Sequence, residues 1–344
     1  MKSLRKILGL FLTVSLAFSL SACNNGGGAS AAPAPSEASG GASSEVSSAA
    51  AAKKTGKDLV VGFAQEGAES AWRTGETKSI KEEAAKRGVN LKFSDAQQKQ
   101  ENQIKAIRTF IQQKVDVIGV APAVDTGWEE VFKEAKTANI PVILIDRQAT
   151  GVDDLYATFI GSDFVQEGKD ACDQLAKAMG EKGNVVILLG TTGASAATGR
   201  TKGFTEQIAK YPNMKITKQQ DGDFSRQTGK QVMESFLKSD SNIQGVFAEN
   251  DDMGMGAVQA IEEAGKAPGK DIKLVGCDGI KDAFQAMVDG KYNASVECNP
   301  LLGPQFFDAC EKLANGESVP KWIKSQESVY PASKAAEALP TRTY

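Results

Sequence analysis

The sequence predicts an α/β protein made of two similar lobes, each built on a parallel sheet. Three observations lead there. Short apolar runs alternate with longer amphipathic stretches from about residue 57 onward, the pattern of βαβ units. That alternation pauses after Gly161 and starts again. Two of the runs, PVILID (141–146) and LVGCD (274–278), end abruptly on an aspartate at corresponding places in the two halves.

The first half reads in order as follows. Residues 58–64 form a strand, 71–87 a helix, 89–94 a strand and 99–113 a helix. Residues 115–121 form a strand, 128–138 a helix, 141–146 a strand and 156–161 a strand leading out of the lobe. The 141–146 run opens on a proline and continues as four branched apolar residues, as a strand buried on both faces does. The second half reads 165–179 helix, 184–189 strand, 196–210 helix, 214–219 strand, 226–238 helix and 245–248 strand. It continues with 253–264 helix, 273–277 strand, 280–288 helix and 294–297 strand. A helix over 304–314 and one last element over 322–329 complete the chain. The second half repeats the first in architecture without recognisable sequence repetition.

The N-terminal region has a different character. Lys2, Arg5 and Lys6 precede an apolar run over 7–20 that is short for a membrane span, the layout of a secretion signal over residues 1–22. The run closes on LSAC (20–23), which resembles a bacterial lipobox and implies a lipid on Cys23. Residues 23–56 are rich in Gly, Ala, Ser and Pro, the composition of a disordered tether. The expected location is extracytoplasmic, anchored to the cell membrane by that lipid.

Composition narrows the chemistry. Of 344 residues none is histidine, which excludes Ser-His and Cys-His nucleophilic pairs and every histidine metal site. The formal charge is −3, and no basic surface for nucleic acid is indicated. The cysteines beyond Cys23 are Cys172, Cys277, Cys298 and Cys310, and none stands in a C-x-x-C pair. They serve equally as disulfide partners or as buried thiols.

In open α/β sheets, ligands bind beyond the carboxyl ends of the strands. Asp146 and Arg147 stand at such an end and offer acceptor oxygens beside a rigid fork of donors, a pair suited either to a polyol or to a structural ion pair at the strand end. After the first strand, Trp72 either packs under a neighbouring loop or supplies an apolar plate for a sugar's C–H face, with Gln65, Glu69 and Arg73 for its hydroxyls. Arg200 follows the glycine-rich turn at 190–199, which lacks both the phosphate-loop and the dinucleotide spacing. Phe224 offers a second plate, Asn250 both donates and accepts, and Asp278 is the counterpart of Asp146. The carboxylates at 249–252 also raise a metal reading, for which the sequence shows no converging ligand set. No cofactor is implied.

The segments GFAQEGAESAWR (62–73), DAQQKQENQI (95–104), APAVDTGW (121–128), Asp146-Arg147, GAS (193–195), GDF (222–224) and NDDM (250–253) together resemble the ribose/galactose group of type I periplasmic binding proteins. The 97–103 run and the Trp72-Arg73 pair resemble that group's galactofuranose-binding members. The resemblance spans residue 58 to the C-terminus.

It implies two Rossmann-like lobes joined by a three-segment hinge, one over 57–161 and 300–326, the other over 162–299 and 327–344. The first would supply Gln65, Glu69, Trp72, Arg73, Asp146 and Arg147. The second would supply Arg200, Phe224, Asn250 and Asp278, with Glu297 and Asp163 beside crossings. Where the group often places two aromatics after the first strand, this chain has Ala71-Trp72. The implied activity is monosaccharide capture without bond chemistry, by a monomer that delivers to the membrane permease subunits of an ABC importer. The same residues would serve a receptor feeding a sensor kinase or chemoreceptor, and no distinguishing glycosidase motif accompanies the available carboxylates.

Overall fold

The computed structural model describes residues 53–344, and within them twelve strands form two six-stranded sheets. The leader, Cys23 and most of the tether lie outside the described residues. The first sheet takes β1 (Val60–Gln65), β2 (Asn90–Asp95), β3 (Val117–Val120), β4 (Val142–Ile145), β5 (Thr158–Gly161) and β11 (Trp322–Lys324), in the order β11-β5-β4-β3-β1-β2. The second takes β6 (Lys182–Leu189), β7 (Asn213–Asp221), β8 (Gly245–Ala248), β9 (Lys273–Asp278), β10 (Ala294–Glu297) and β12 (Val329–Pro331), in the order β12-β10-β9-β8-β6-β7. The two orders are the same, so β4 and β9 are structural counterparts. All pairings are parallel except that of β12 with β10.

Helices cover both faces of each sheet. α1 (Ala71–Arg87), α2 (Gln100–Gln112), α3 (Glu129–Thr137) and α9 (Gly303–Ala314) serve the first. α4 (Phe164–Met179), α5 (Ser195–Ile208), α6 (Arg226–Ser239), α7 (Asp251–Glu263), α8 (Lys281–Val288) and α10 (Ala332–Ala338) serve the second. The central strands β3, β4, β8 and β10 are buried along their whole length, as strands sandwiched between helices must be.

The chain passes between the sheets after β5, after β10 and between β11 and β12. The stretch 322–329, expected as one element, is therefore two strands in different sheets, separated by the polar run SQES. The closing helix α10 was not foreseen, since Pro331 at its N-cap reads as a break. Lys54, expected in the tether, donates from its backbone to Asn315 Oδ1 at 2.8 Å and by its ammonium to Asp116. The four described cysteines are buried free thiols.

Candidate functional site

The carboxyl ends of β1, β4, β8 and β9 converge on a small cavity between the sheets. Glu69, Trp72, Arg73, Asp146, Arg147, Arg200, Phe224, Asn250 and Asp278 line it, together with Ser70, Ala196 and Cys298.

On the first lobe, Ser70 caps α1 by accepting from the Arg73 backbone at 3.1 Å, which sets Trp72 and Arg73 on the first turn. The Arg73 guanidinium donates to Glu69 Oε1 (3.1 Å), Glu76 Oε2 (2.5 Å) and Asp146 Oδ2 (2.6 Å). Arg147 lies 3.0 Å from Glu66 Oε1 and donates to the Ala123 carbonyl at 3.2 Å. Four carboxylates thus surround two buried guanidiniums, an excess of negative charge out of water. Burial drives Glu66 up to about 7, with Arg147 opposing and Glu69 adding to the rise. Burial pushes Glu69 the same way, but Arg73 and Arg147 together hold it below the usual carboxylate range.

On the second lobe, Arg200 is positioned by close helix packing. A Cβ on Gly168 of α4 would meet the Arg200 carbonyl oxygen at 2.1 Å, and one on Gly203 of α5 would meet the Val165 carbonyl oxygen at 2.0 Å. Only glycine allows that approach. Arg200 then donates to Glu167 Oε2 at 2.7 Å, to the Glu249 carbonyl at 2.5 Å and to Asp278 Oδ1 at 3.3 Å. Burial raises Asp278 well above the usual carboxylate range, against the pull of Arg200.

Asp146 (φ 60°), Phe224 (φ 53°) and Asp278 (φ 113°) all hold backbone conformations that L-residues seldom adopt. Such strain concentrates where the surrounding structure must aim a side chain. Each aromatic also carries a guanidinium on its face: Arg73 lies 4.8 Å from the Trp72 ring centroid and Arg147 5.3 Å from that of Phe224. The second of these contacts spans the two lobes. So do the bonds from Trp72 Nε1 to the Cys298 carbonyl (2.5 Å), from the Ala71 N–H to Asp252 Oδ2 (2.7 Å) and from the Gln148 N–H to Ser195 Oγ (2.8 Å).

Three residues proposed from the sequence lie outside this lining. Gln65 is fully buried behind it, donating to Glu76 Oε2 and Thr77 Oγ1 at 3.0 and 2.9 Å, and so braces Arg73's partner. Asp163 caps α4 and pairs with Lys324 at 3.2 Å. Glu297 pairs with Arg342 at 2.5 Å. Asn250 does face the cavity, yet its carbonyl caps α7 and its amide donates to the Phe224 carbonyl at 3.0 Å, so much of its polarity is used internally. Sequence reasoning missed Ser70, Ala196 and Cys298. Ser70 carried an N-cap signal, and Cys298 follows a strand end, whereas Ala196 carried none.

The arrangement offers charged donors and acceptors on both sides and an apolar ring from each lobe. It suits a small neutral polyhydroxylated solute, whose hydroxyls can donate to Asp146 and Asp278 and accept from the arginines.

Comparison with known proteins gives matching results. The model of the periplasmic binding protein domain family matches residues 61–318. The chain is 51% identical over 287 residues to the galactofuranose-binding protein YtfQ of Escherichia coli K12, covering 82% of this chain and 90% of that one. A Mycobacterium smegmatis structure in complex with β-D-fucofuranose is 54% identical with a TM-score of 0.80, covering 82% of this chain and 94% of that one. The periplasmic binding protein of the arabinose ABC transporter from Shewanella sp. ANA-3, bound to α- and β-L-arabinofuranose, is 48% identical. Its TM-score is also 0.80, over 83% of this chain and 95% of that one.

Proposed function

The chain belongs to the periplasmic binding protein domain family, and from that premise we propose that it is the extracytoplasmic sugar receptor of an ABC importer, selective for a furanose and with galactofuranose favoured. The observation that carries the reading is the paired polar ends of β4 and β9. Asp146 and Asp278, each gripped by a buried arginine, face one small cavity from opposite lobes. The furanose ligands bound to two relatives near half identity support the ring form.

In this reading Asp146, Asp278, Arg73, Arg147 and Arg200 bond the hydroxyls, while Trp72 and Phe224 cover the apolar face. Glu69 and Asn250 hold those groups in place, and Gln65, Asp163 and Glu297 act from behind or beside the cleft. The lobes open and close about the three crossings, and the bonds between Trp72 and Cys298 and between Gln148 and Ser195 belong to the closed form. The lipobox at 20–23 makes Cys23 the anchor to the membrane, with the intervening residues as tether to a monomer.

The test is calorimetric titration of the purified full chain with galactofuranose, galactopyranose, ribose and arabinose. One-site binding that is tightest for galactofuranose is expected. Tight binding to a pyranose alone would discard the furanose assignment, and binding to none of the four would discard the sugar. Cys23→Ser should release the protein from membranes, and unchanged membrane association would overturn the anchor.

A further inference from the structure

Glu167, Cys298 and Glu327 come from the three separate places where the chain passes between the sheets. Glu167 lies on the first turn of α4, Cys298 directly follows β10, and Glu327 lies in the run between β11 and β12. A carboxylate oxygen of each glutamate and the Cys298 sulfur lie within 4.8 Å of one another. We propose that these three side chains bind a divalent cation of borderline softness, of the Zn²⁺ type, which fastens the three crossings together.

A separate observation points to a ligand. Glu167 Oε2 is taken by Arg200, but its Oε1 is buried and has no hydrogen-bond partner. Glu167 is only 3% exposed, so water does not satisfy that oxygen as bulk solvent would. An unpaired buried carboxylate oxygen is costly, and a cation removes the cost.

The donor set selects the ion. One thiol and two carboxylates suit a tetrahedral Zn²⁺, with Zn–S near 2.3 Å and Zn–O near 2.0–2.2 Å, better than the all-oxygen shell of Ca²⁺ or Mg²⁺. Drawing the atoms onto one centre requires a contraction of about an ångström from their present spacing. The Ser162 hydroxyl, which touches Glu327 and lies 3.2 Å from Cys298 Sγ, is placed to supply the fourth position or to orient a water there. An ion has a route in: a cavity of about 360 Å³ is lined by Glu167 and Glu327 and carries Asp163 and Asp170 on its wall. Binding displaces the protons of the thiol and of any protonated carboxyl to solvent, so affinity rises with pH.

The experiment titrates the full chain with ZnCl₂ by calorimetry and by thermal unfolding, with chelator added back as control. Cys23→Ser is used throughout, to remove the one cysteine outside the described residues. One equivalent of Zn²⁺ should bind, raise Tm and release protons, and Ca²⁺ should bind at least tenfold more weakly. Glu327→Gln keeps an oxygen for Ser162 and Ser325 and should fold normally, while weakening Zn²⁺ at least tenfold. Co²⁺ in place of Zn²⁺ should give a thiolate charge-transfer band that Cys298→Ser abolishes. Absence of stoichiometric Zn²⁺ binding, equal binding of Ca²⁺, or full affinity in folded Glu327→Gln would overturn the proposal.

Discussion

Arg73 and Asp146 form a buried ion pair, 2.6 Å between Nη2 and Oδ2, that ties the first turn of α1 to the end of β4. Each fixes the other at the cavity wall, and each keeps further capacity for a ligand. Asp146→Ala should cost about 2–5 kcal/mol of sugar affinity, since removing one member of a buried polar set leaves its partners unpaired. The fold should survive, because Arg73 retains Glu69 and Glu76. Asp146→Asn tolerates the left-handed backbone and separates loss of charge from backbone strain. Calorimetry on variants with native circular dichroism checks this, and near-normal binding by folded Asp146→Ala would remove Asp146 from the site.

The Phe224 ring is seated on Gly190. A Cβ there would meet the ring at 2.0 Å, while the Phe224 backbone is held by Asn250. Gly190→Ala should therefore push the ring into the cavity and weaken sugar binding at least tenfold, with a smaller loss of stability of about 1–3 kcal/mol from overpacking. Gly190→Ala with Phe224→Leu should recover stability but not affinity. Affinity unchanged in the single variant would show that Phe224 does not cover the ligand.

Much of this site was legible because its signals are local. The run PVILID reads as a buried strand ending on an acid, suited to a ligand or to a structural ion pair, and Asp146 both lines the cavity and pairs with Arg73. Trp72 and Arg73 followed from their place just after β1. Gln65 looked equally well placed, but it is the last residue of β1 and fully buried, and only the fold shows its amide turned toward Glu76. Cys298 faces the cavity only because β10 ends beside a crossing, a relationship between segments distant in sequence. The split of 322–329 was hidden for a similar reason: three residues of each strand give no periodicity, and their partners lie 163 residues away in one case and 33 to 37 in the other.

Trp72 has two separable roles, an apolar face and an indole N–H bonded to the Cys298 carbonyl in the opposite lobe. Trp72→Phe keeps most of the face and removes the bond, so sugar affinity should fall by about 0.5–1.5 kcal/mol, the net worth of one neutral hydrogen bond. If the bond belongs to the closed form, the loss should appear mainly as faster sugar release in stopped-flow measurements. A loss confined to the association rate would place the bond outside the closure step.

Glu66 makes stability depend on pH. Its ordinary value is 4.5, and burial raises it to about 7 in the folded chain. The folded state therefore binds a proton that the unfolded state has released across that interval. The corresponding stability is fully present below pH 4.5 and is lost as pH rises through about 7, a span of about 3 kcal/mol at most. Glu69 is lowered and acts with the opposite sign, but its window lies below 4.5 and does not overlap. Glu249 and Glu327, also raised to about 7 by burial, add to the wild-type slope without depending on Glu66. Glu66→Gln should thus be more stable than wild type at pH 8 and show a shallower decline between pH 5 and 8, measured by urea unfolding at each pH. Arg147 loses its 3.0 Å partner in that variant, which offsets part of the gain but not the change in slope. A variant whose stability declines with pH as steeply as the wild type's would show that Glu66 titrates normally in the folded protein.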